Sequence, residues 1–309
     1  MIHTSEFHVR LNIDSDIEVI KKLEEQRIIR KGSIVMMLKN IPLQFGYDYR
    51  LYIFVDYIKL LGRPDITPKD INKILEKINE SVRTILNRSF ELELNRIDYR
   101  YDVVIPSKKE RSLLVKLLKK GPNKSCYMEK INKYKEGVRY FAKSKTNNIY
   151  DKENERHDVG EEVKDYEKNV FRFEAQVKKP HLRYKKTKYD IQLELEEYFT
   201  FEKYKEYMGK MIIKTVGKGD FYNFYHAKKI INNSSIKEKY KKELIKFLNH
   251  TSKKRSLSKT KEEFGRYKYE MYINMLEELG VNPILIPEKE KVTYLSNPLK
   301  ELITLFEEN

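Results

Sequence analysis

Apolar and polar positions alternate with a period of two in several stretches of this chain, the mark of a strand with one face buried. Residues 6–13 read as one such strand, and the aromatic, β-branched run LYIFVDYIK within 50–59 reads as a second. Residues 90–105 form a long strand, 138–150 one or two more, and 169–178 another. Helical spacing appears between them. Thr67-Pro68 offers an N-cap followed by proline at the first helical position. Ile71, Ile74, Leu75, Ile78, Val82 and Ile85 follow along one helix face. A helix over 107–120 is stopped by Gly121-Pro122. Beyond Tyr189 the pattern is helical over 190–208, 236–249 and 258–279. The expected fold is therefore α/β (α+β): an antiparallel-rich sheet with helices on one face, followed by a helical C-terminal region. Candidate boundaries fall near 180–190 and 251–257, giving domains over 1–188 and 189–309.

Two of these strands carry charge in an ordered way. In 90–105 the even positions begin apolar (Phe90, Leu92, Leu94) and turn to Arg96, Asp98, Arg100 and Asp102, so one face is expected to pass from core to a charged cluster. In 170–178, Phe171, Phe173, Ala175 and Val177 share one face, and Arg172, Glu174, Gln176 and Lys178 share the other. A row of Arg, Glu and Gln on a sheet suggests a site; the competing reading is the solvent face of an edge sheet.

Composition narrows the partner. Charged residues make up 36% of the 309 residues and the net charge is +16, which points to a polyanion. Only three alanines occur, at 142, 175 and 227, and lysine is abundant, as an AT-rich coding sequence would give. Such a bias inflates Asp and Glu as well, so the cationic surplus still needs a cause. The surplus is uneven: net +9 over 101–150 and +7 over 201–250, flanking a stretch at −2 over 151–200. Cations that grip a backbone beside carboxylates suited to a metal would serve a nucleic-acid enzyme. The plainer reading of 151–168 is a solvated acidic loop. The longest apolar runs are a few residues, as at 51–55, so no membrane span or signal peptide is expected. A single cysteine, Cys126, excludes a disulfide framework and fits the cytoplasm. No glycine-rich nucleotide loop is present, which argues against an ATP-driven helicase in this chain.

Three motifs in order sharpen the reading. Arg96-Ile97-Asp98 lies in the long strand. About fifty residues later comes IYDKENE at 149–155, a Tyr-x-Lys-x-x-Glu pattern, and then VFRFEAQVK at 170–178. This order resembles the rolling-circle replication initiators of the filamentous-phage gene II/X-like family, and more distantly the initiators of small rolling-circle plasmids. The tail segments LGVNPI at 279–284 and Asn297-Pro298-Leu299 resemble the same phage and plasmid proteins.

The resemblance implies a site-specific single-strand DNA endonuclease and strand transferase that forms a 5′-phosphotyrosine at the origin. By motif, Tyr150 is the nucleophile and Lys152 lies by the phosphate or phenolate. Glu155 is a metal ligand or a base. Asp98 and Glu174 hold a divalent cation, Mg²⁺ or Mn²⁺. Arg172 orients Glu174 or, with Arg96, contacts DNA. Lys253, Lys254 and Arg255 are expected to hold duplex origin DNA through its phosphates. The implied partners are origin DNA, single-stranded and duplex, with a separate helicase and polymerase. The His–hydrophobe–His metal pair of many related nicking enzymes is missing from the six histidines, at 3, 8, 157, 181, 226 and 250. His157 reads as solvated, and the role of Asp102 stays open. Two other readings fit the same residues: a mobilisation relaxase or transposase with tyrosine chemistry, and a non-catalytic DNA-binding repressor of the replicon.

Overall fold

A computed structural model describes residues 1–42, 44, 47–131 and 137–308. The chain opens with β1 (Ile2–Arg10), α1 (Ile17–Gln26), β2 (Ile28–Lys31), β3 (Ile34–Pro42), β4 (Tyr47–Asp56), α2 (Tyr57–Leu61) and α3 (Ile71–Arg83). Next come β5 (Glu93–Val104), α4 (Lys108–Leu118), β6 (Lys124–Ser125), β7 (Met128–Ile131), β8 (Gly137–Phe141), β9 (Lys145–Asp151), α5 (Lys152–Asp158) and β10 (Val170–Lys178). Helices α6 (Lys179–Tyr189), α7 (Leu195–Tyr198) and α8 (Phe201–Tyr207) lead to a π-helical segment, Met208–Ile213, and a last turn, α9 (Lys214–Val216). The remainder is β11 (Phe221–Tyr222), α10 (Phe224–Asn233), α11 (Glu238–Lys254), α12 (Leu257–Phe264), α13 (Arg266–Glu278), β12 (Tyr294–Leu295) and α14 (Lys300–Glu308). The first ten strands form a large antiparallel sheet in the order β2-β3-β4-β1-β5-β10-β9-β8-β7-β6, so the mixed α/β class with a helical C-terminal region holds. No described helix is long and apolar enough to cross a membrane.

The chain divides into two compact units. The first comprises 1–100, 143–145 and 175–207, and the second 101–142, 146–174 and 208–309, with β5 and β10 contributing residues to both.

In the first unit the core face of the sheet is built by Phe7 and Val9, Ile34 and Met36, Leu51, Ile53 and Val55, all nearly inaccessible to solvent. Helix α1 packs on β3 with Ile20 and Leu23 buried, and Ile74, Ile78 and Val82 bury one face of α3 at the expected spacing. Thr67 caps the chain entering α3 through a reciprocal capping box with Asp70, which first forms a 3₁₀ turn over Pro68–Asp70.

Strand β4 ends at Asp56, short of the expected 59. Its carboxylate accepts bonds from the amides of Ile58 and Lys59 and starts α2 instead. The first strand likewise runs over 2–10, because Asn12 and Asp16 fold the chain after it into a side-chain-capped turn.

The face expected for 90–105 is also corrected. Phe7 pairs with Leu94, but Glu6 pairs with Arg96, so a bulge at Asn95 breaks the alternation. Leu94 and Ile97 share the core face with Phe7, while Arg96 and Asp98 share the opposite face with Glu6 and Thr4.

The second unit carries a helical core in which Ala227, Ile231, Leu244, Phe247, Leu248, Tyr272 and Leu276 are buried. The helix expected over 258–279 is two helices, separated where Gly265 adopts a left-handed φ of +74°. The expected helix over 190–208 is interrupted too: α7 and α8 are short, and the π-helical segment begins at Met208. The two tail motifs have structural work. The buried Asn282 amide donates to Val216 O (2.9 Å), and Asn297 donates to Gly217 O (2.8 Å) and Gly219 O (3.0 Å). Asn282 thereby satisfies the last carbonyl of α9, and Asn297 holds the carbonyls of the loop that follows it.

One polar group in the first unit sets a pH dependence. His8 is almost fully buried, with Arg50 Nη1 at 3.2 Å and Lys179 Nζ at 3.5 Å from Nε2, and Glu93 Oε2 at 3.8 Å. Burial, then the Lys179 charge, push the imidazole down from 6.5 to about 4, against the pull of Glu93. The unfolded chain thus takes up a proton that the folded chain refuses. Stability is fully present above about pH 6.5 and falls as pH drops toward 4. Urea unfolding at pH 7 and pH 5 should show this loss, and His8→Gln should reduce it. Equal pH slopes for both proteins would contradict the assignment.

Candidate functional site

Tyr150 stands near the end of β9, directly opposite Gly137 of β8. The glycine is required there: a Cβ at position 137 would lie 2.1 Å from Ile149 O and 2.7 Å from the Tyr150 Cβ. Alternation along β9 puts Asn148 and Tyr150 on one face and Ile149 and Asp151 on the other. Both residues of the first pair meet Glu174. The Tyr150 phenol donates to Glu174 Oε1 at 2.9 Å, and Asn148 Nδ2 approaches Oε2 at 3.4 Å.

Glu174 is itself one member of a buried row on β10. Arg172 is 1% exposed and makes a bidentate pair with Asp102 of β5, at 2.7 and 2.9 Å. Its Nη1 lies 3.8 Å from Glu174 Oε1. Burial alone would depress this guanidinium, but Asp102, Tyr150 and Glu174 outweigh it and push its pKa up. The row on 170–178 is therefore not a solvent face of an edge sheet. Asp102, whose role the sequence leaves open, is the carboxylate that neutralises Arg172.

The chain turns from β9 into α5 at Asp151, whose carboxylate caps the helix by accepting from Asn154 N at 3.1 Å. Asp151 is fixed from behind by Arg111, which is 2% exposed. Arg111 Nε donates to Asp151 (2.8 Å) and Nη2 to Glu153 (2.7 Å), while Nη1 reaches Ile105 O and Asn169 Oδ1. Lys152 then points to the other side. Its Nζ bonds Glu155 at 2.6 Å, lies 3.8 Å from Glu167, and sits 5.9 Å from the centre of the Tyr150 ring. Glu167 also takes two bonds from Arg156, at 3.0 and 2.8 Å. Desolvation would raise this carboxyl, but Arg156 and Lys152 hold it below its ordinary value.

Tyr150, Lys152, Glu155, Arg172 and Glu174 are thus gathered in the second unit. Arg111, Asp151, Arg156 and Glu167 are its unforeseen members. Glu167 was covered by the reading of 151–168 as a solvated loop, and it is buried. Lys152 and Arg156, four residues apart on one helix face, are the signal that could have shown a shared carboxylate partner. His157 is exposed in the last turn of α5.

The other expected residues lie elsewhere in the chain. Asp98, in the first unit, accepts from Thr4 Oγ1 and Gln176 Nε2, with Arg96 Nε at 3.1 Å. Arg96 also stands 3.9 Å from Glu6, so it is held between two carboxylates. Lys253 and Lys254 are exposed at the end of α11, and Arg255 follows in a left-handed conformation.

Among the described residues no group of three or more His, Cys, Asp or Glu is placed to hold a metal ion. Asp98 and Glu174, the carboxylates assigned to a cation by resemblance, are each surrounded by proton donors. Divalent Mg²⁺ and Mn²⁺ take lone-pair oxygens, so these donor sets as they stand fit a proton-accepting role rather than coordination. Glu174 is positioned to receive the phenol proton. In water that transfer is uphill by about six pK units, on the order of 8 kcal/mol. Arg172 stands 3.8 Å from Glu174 Oε1 and Lys152 5.9 Å from the Tyr150 ring centre, so the pair faces cations on both sides whichever member carries the negative charge. Compared with known proteins, the chain matches no family model and no curated sequence.

The Arg111 anchor is testable without an activity assay. Arg111→Leu leaves Asp151 as a buried charge without its main partner, and should cost about 3–5 kcal/mol. Urea denaturation followed by circular dichroism measures this. A loss below about 1 kcal/mol, the range of an exposed pair, would contradict it.

Proposed function

We propose that the chain is a rolling-circle replication initiator, a tyrosine nickase and strand transferase that acts on single-stranded origin DNA. The observation that carries this reading is the Tyr150 phenol bonded to Glu174 with Arg172 and Lys152 beside it. In the reaction, the Tyr150 oxygen attacks the scissile phosphorus as Glu174 accepts its proton. The phosphorus–O3′ bond breaks and the departing O3′ takes a proton from water, leaving a 5′-phosphotyrosine and a free 3′-hydroxyl. Lys152 offsets the charge that develops on the phosphoryl oxygens, while Arg172, paired with Asp102, holds Glu174 in place. Attack by a second 3′-hydroxyl reverses the step and releases Tyr150, so strand transfer needs no nucleotide energy source. The +16 net charge supports a DNA substrate, and the cations at 253–255 suit phosphate contacts that position duplex origin DNA. The cytoplasm, with a separate helicase and polymerase, is the setting this function requires.

Incubation with single-stranded and supercoiled origin DNA plus Mn²⁺ or Mg²⁺ should give an SDS-resistant protein–DNA adduct on the Tyr150 peptide. Tyr150→Phe should abolish it with DNA affinity kept within about twofold, since no charge is lost. Glu174→Gln should slow it by about 10²–10⁴-fold, the usual contribution of a positioned base. An adduct on Tyr140 or Tyr166 would overturn the assignment of the nucleophile, and no adduct with the correct origin would favour a non-catalytic binder.

A further inference from the structure

The second unit contains a cavity of about 580 Å³ that lies apart from Tyr150 in the chain and shares only Arg255 with the site residues named above. It lies among the C-terminal end of α4, the last turns of α11, the start of α10 and the segment 286–290. Its size is in the range of about 300–1,000 Å³ usual for small-molecule sites.

Two kinds of surface meet in it. Lys116, Lys120, Arg255 and Lys289 supply four cations, against the carboxylates of Glu288 and Glu290. Lys116 is already committed, 3.4 Å from both oxygens of Glu290. Among the described residues Arg255 and Lys289 have no carboxylate within ion-pair distance, so a surplus of positive charge faces the cavity. Lys120 is the most enclosed of the four, and its Nζ donates to Leu285 O at 3.2 Å. Burial, then the charge of Arg255, push its ammonium down to about 8; Lys289 adds to this and Glu290 opposes it. The other walls are apolar: the half-buried Phe224 ring, Ile286 and Pro287. Asn249 and Ser252 add polar groups at the rim.

A converging set of uncompensated cations calls for an anion, and an aromatic ring beside it gives a surface for a flat heterocycle. We propose that this cavity binds a nucleotide, its phosphate held by Lys120, Arg255 and Lys289 and its base against Phe224, Ile286 and Pro287. The phosphate-bearing nucleoside can be a free mononucleotide or the phosphorylated end of a DNA strand; the same groups recognise both. Binding does not depend on Tyr150, so a chain without nicking activity would show it equally.

Isothermal titration of the 309-residue chain at pH 8 tests this, with six probes: thymidine 5′-monophosphate, deoxyadenosine 5′-monophosphate, thymidine, inorganic phosphate, and a short oligonucleotide with and without a 5′-phosphate. The mononucleotides should bind more tightly than either thymidine or phosphate alone. Because a bound phosphate raises the Lys120 pKa, up to about half a proton should be taken up, read from the dependence of the heat on buffer ionisation. Arg255→Gln should weaken the mononucleotides about tenfold. Lys289→Gln, also exposed, provides a second variant with the same expected direction. Stronger binding of the 5′-phosphorylated oligonucleotide than of the same oligonucleotide without the phosphate, by an increment that Lys289→Gln reduces, identifies a strand end as the ligand; no increment, with the mononucleotides still bound, identifies a free nucleotide. Thymidine binding as tightly as its monophosphate, affinity unchanged in both variants, or no binding of any phosphate-bearing probe at millimolar concentration would overturn the proposal.

Discussion

A guanidinium can be buried inside a sheet only if carboxylates meet it there, and the surroundings of Tyr150 follow from how this chain satisfies Arg172. Taking an ion out of water costs several kcal/mol, which a single loose contact does not return. Asp102 answers with two parallel bonds, and Glu174 stands at 3.8 Å on the other side. Glu174 in turn accepts from the Tyr150 phenol, so the phenol, itself buried, is joined to a row that begins with a structural ion pair. The position of the phenol is thereby fixed by groups that fold stability already demands. Gly137 makes room for that end of β9, and Arg111 and Asp151 fix the turn that follows it.

The same principle separates the two faces of β9. Tyr150 belongs to the face of Glu174, while Asp151 belongs to the face of Arg111. Lys152 then begins a helix, leaves the strand alternation, and returns its ammonium to within 5.9 Å of the Tyr150 ring centre. A strand ending in a capped helix is what lets Lys152, two residues on, return toward the ring of Tyr150.

Much of this was legible in the sequence where the signal is local. Thr67-Pro68 and the Gly121-Pro122 stop are local signals: Thr67 and Asp70 form a capping box, and α4 ends at Leu118, just before Gly121. The period-two pattern of 170–178 placed Arg172 and Glu174 on one face, and Arg172 Nη1 does lie 3.8 Å from Glu174 Oε1. The pattern of 90–105 misled, because the bulge at Asn95 depends on how β5 registers with β1 and on nothing within 90–105 itself. The sequence reading named no element over 17–42, where α1, β2 and β3 lie. The run Ile34–Leu38 is apolar without interruption, and only its place inside the sheet distinguishes a strand from a buried helix. Partners distant in sequence were illegible for the same reason. Nothing local links Arg111 to Asp151, or Arg172 to Asp102, across 40 and 70 positions.

The account turns on Tyr150 and Glu174 acting as one coupled pair within the buried row. A double-mutant cycle of Tyr150→Phe and Glu174→Gln, read as unfolding free energy in urea, measures that coupling free of any assumption about substrate. A shared hydrogen bond to a charged acceptor predicts a coupling energy of about 1–3 kcal/mol. Losses that add to within about 0.3 kcal/mol would show that the two groups do not interact, and would contradict the account.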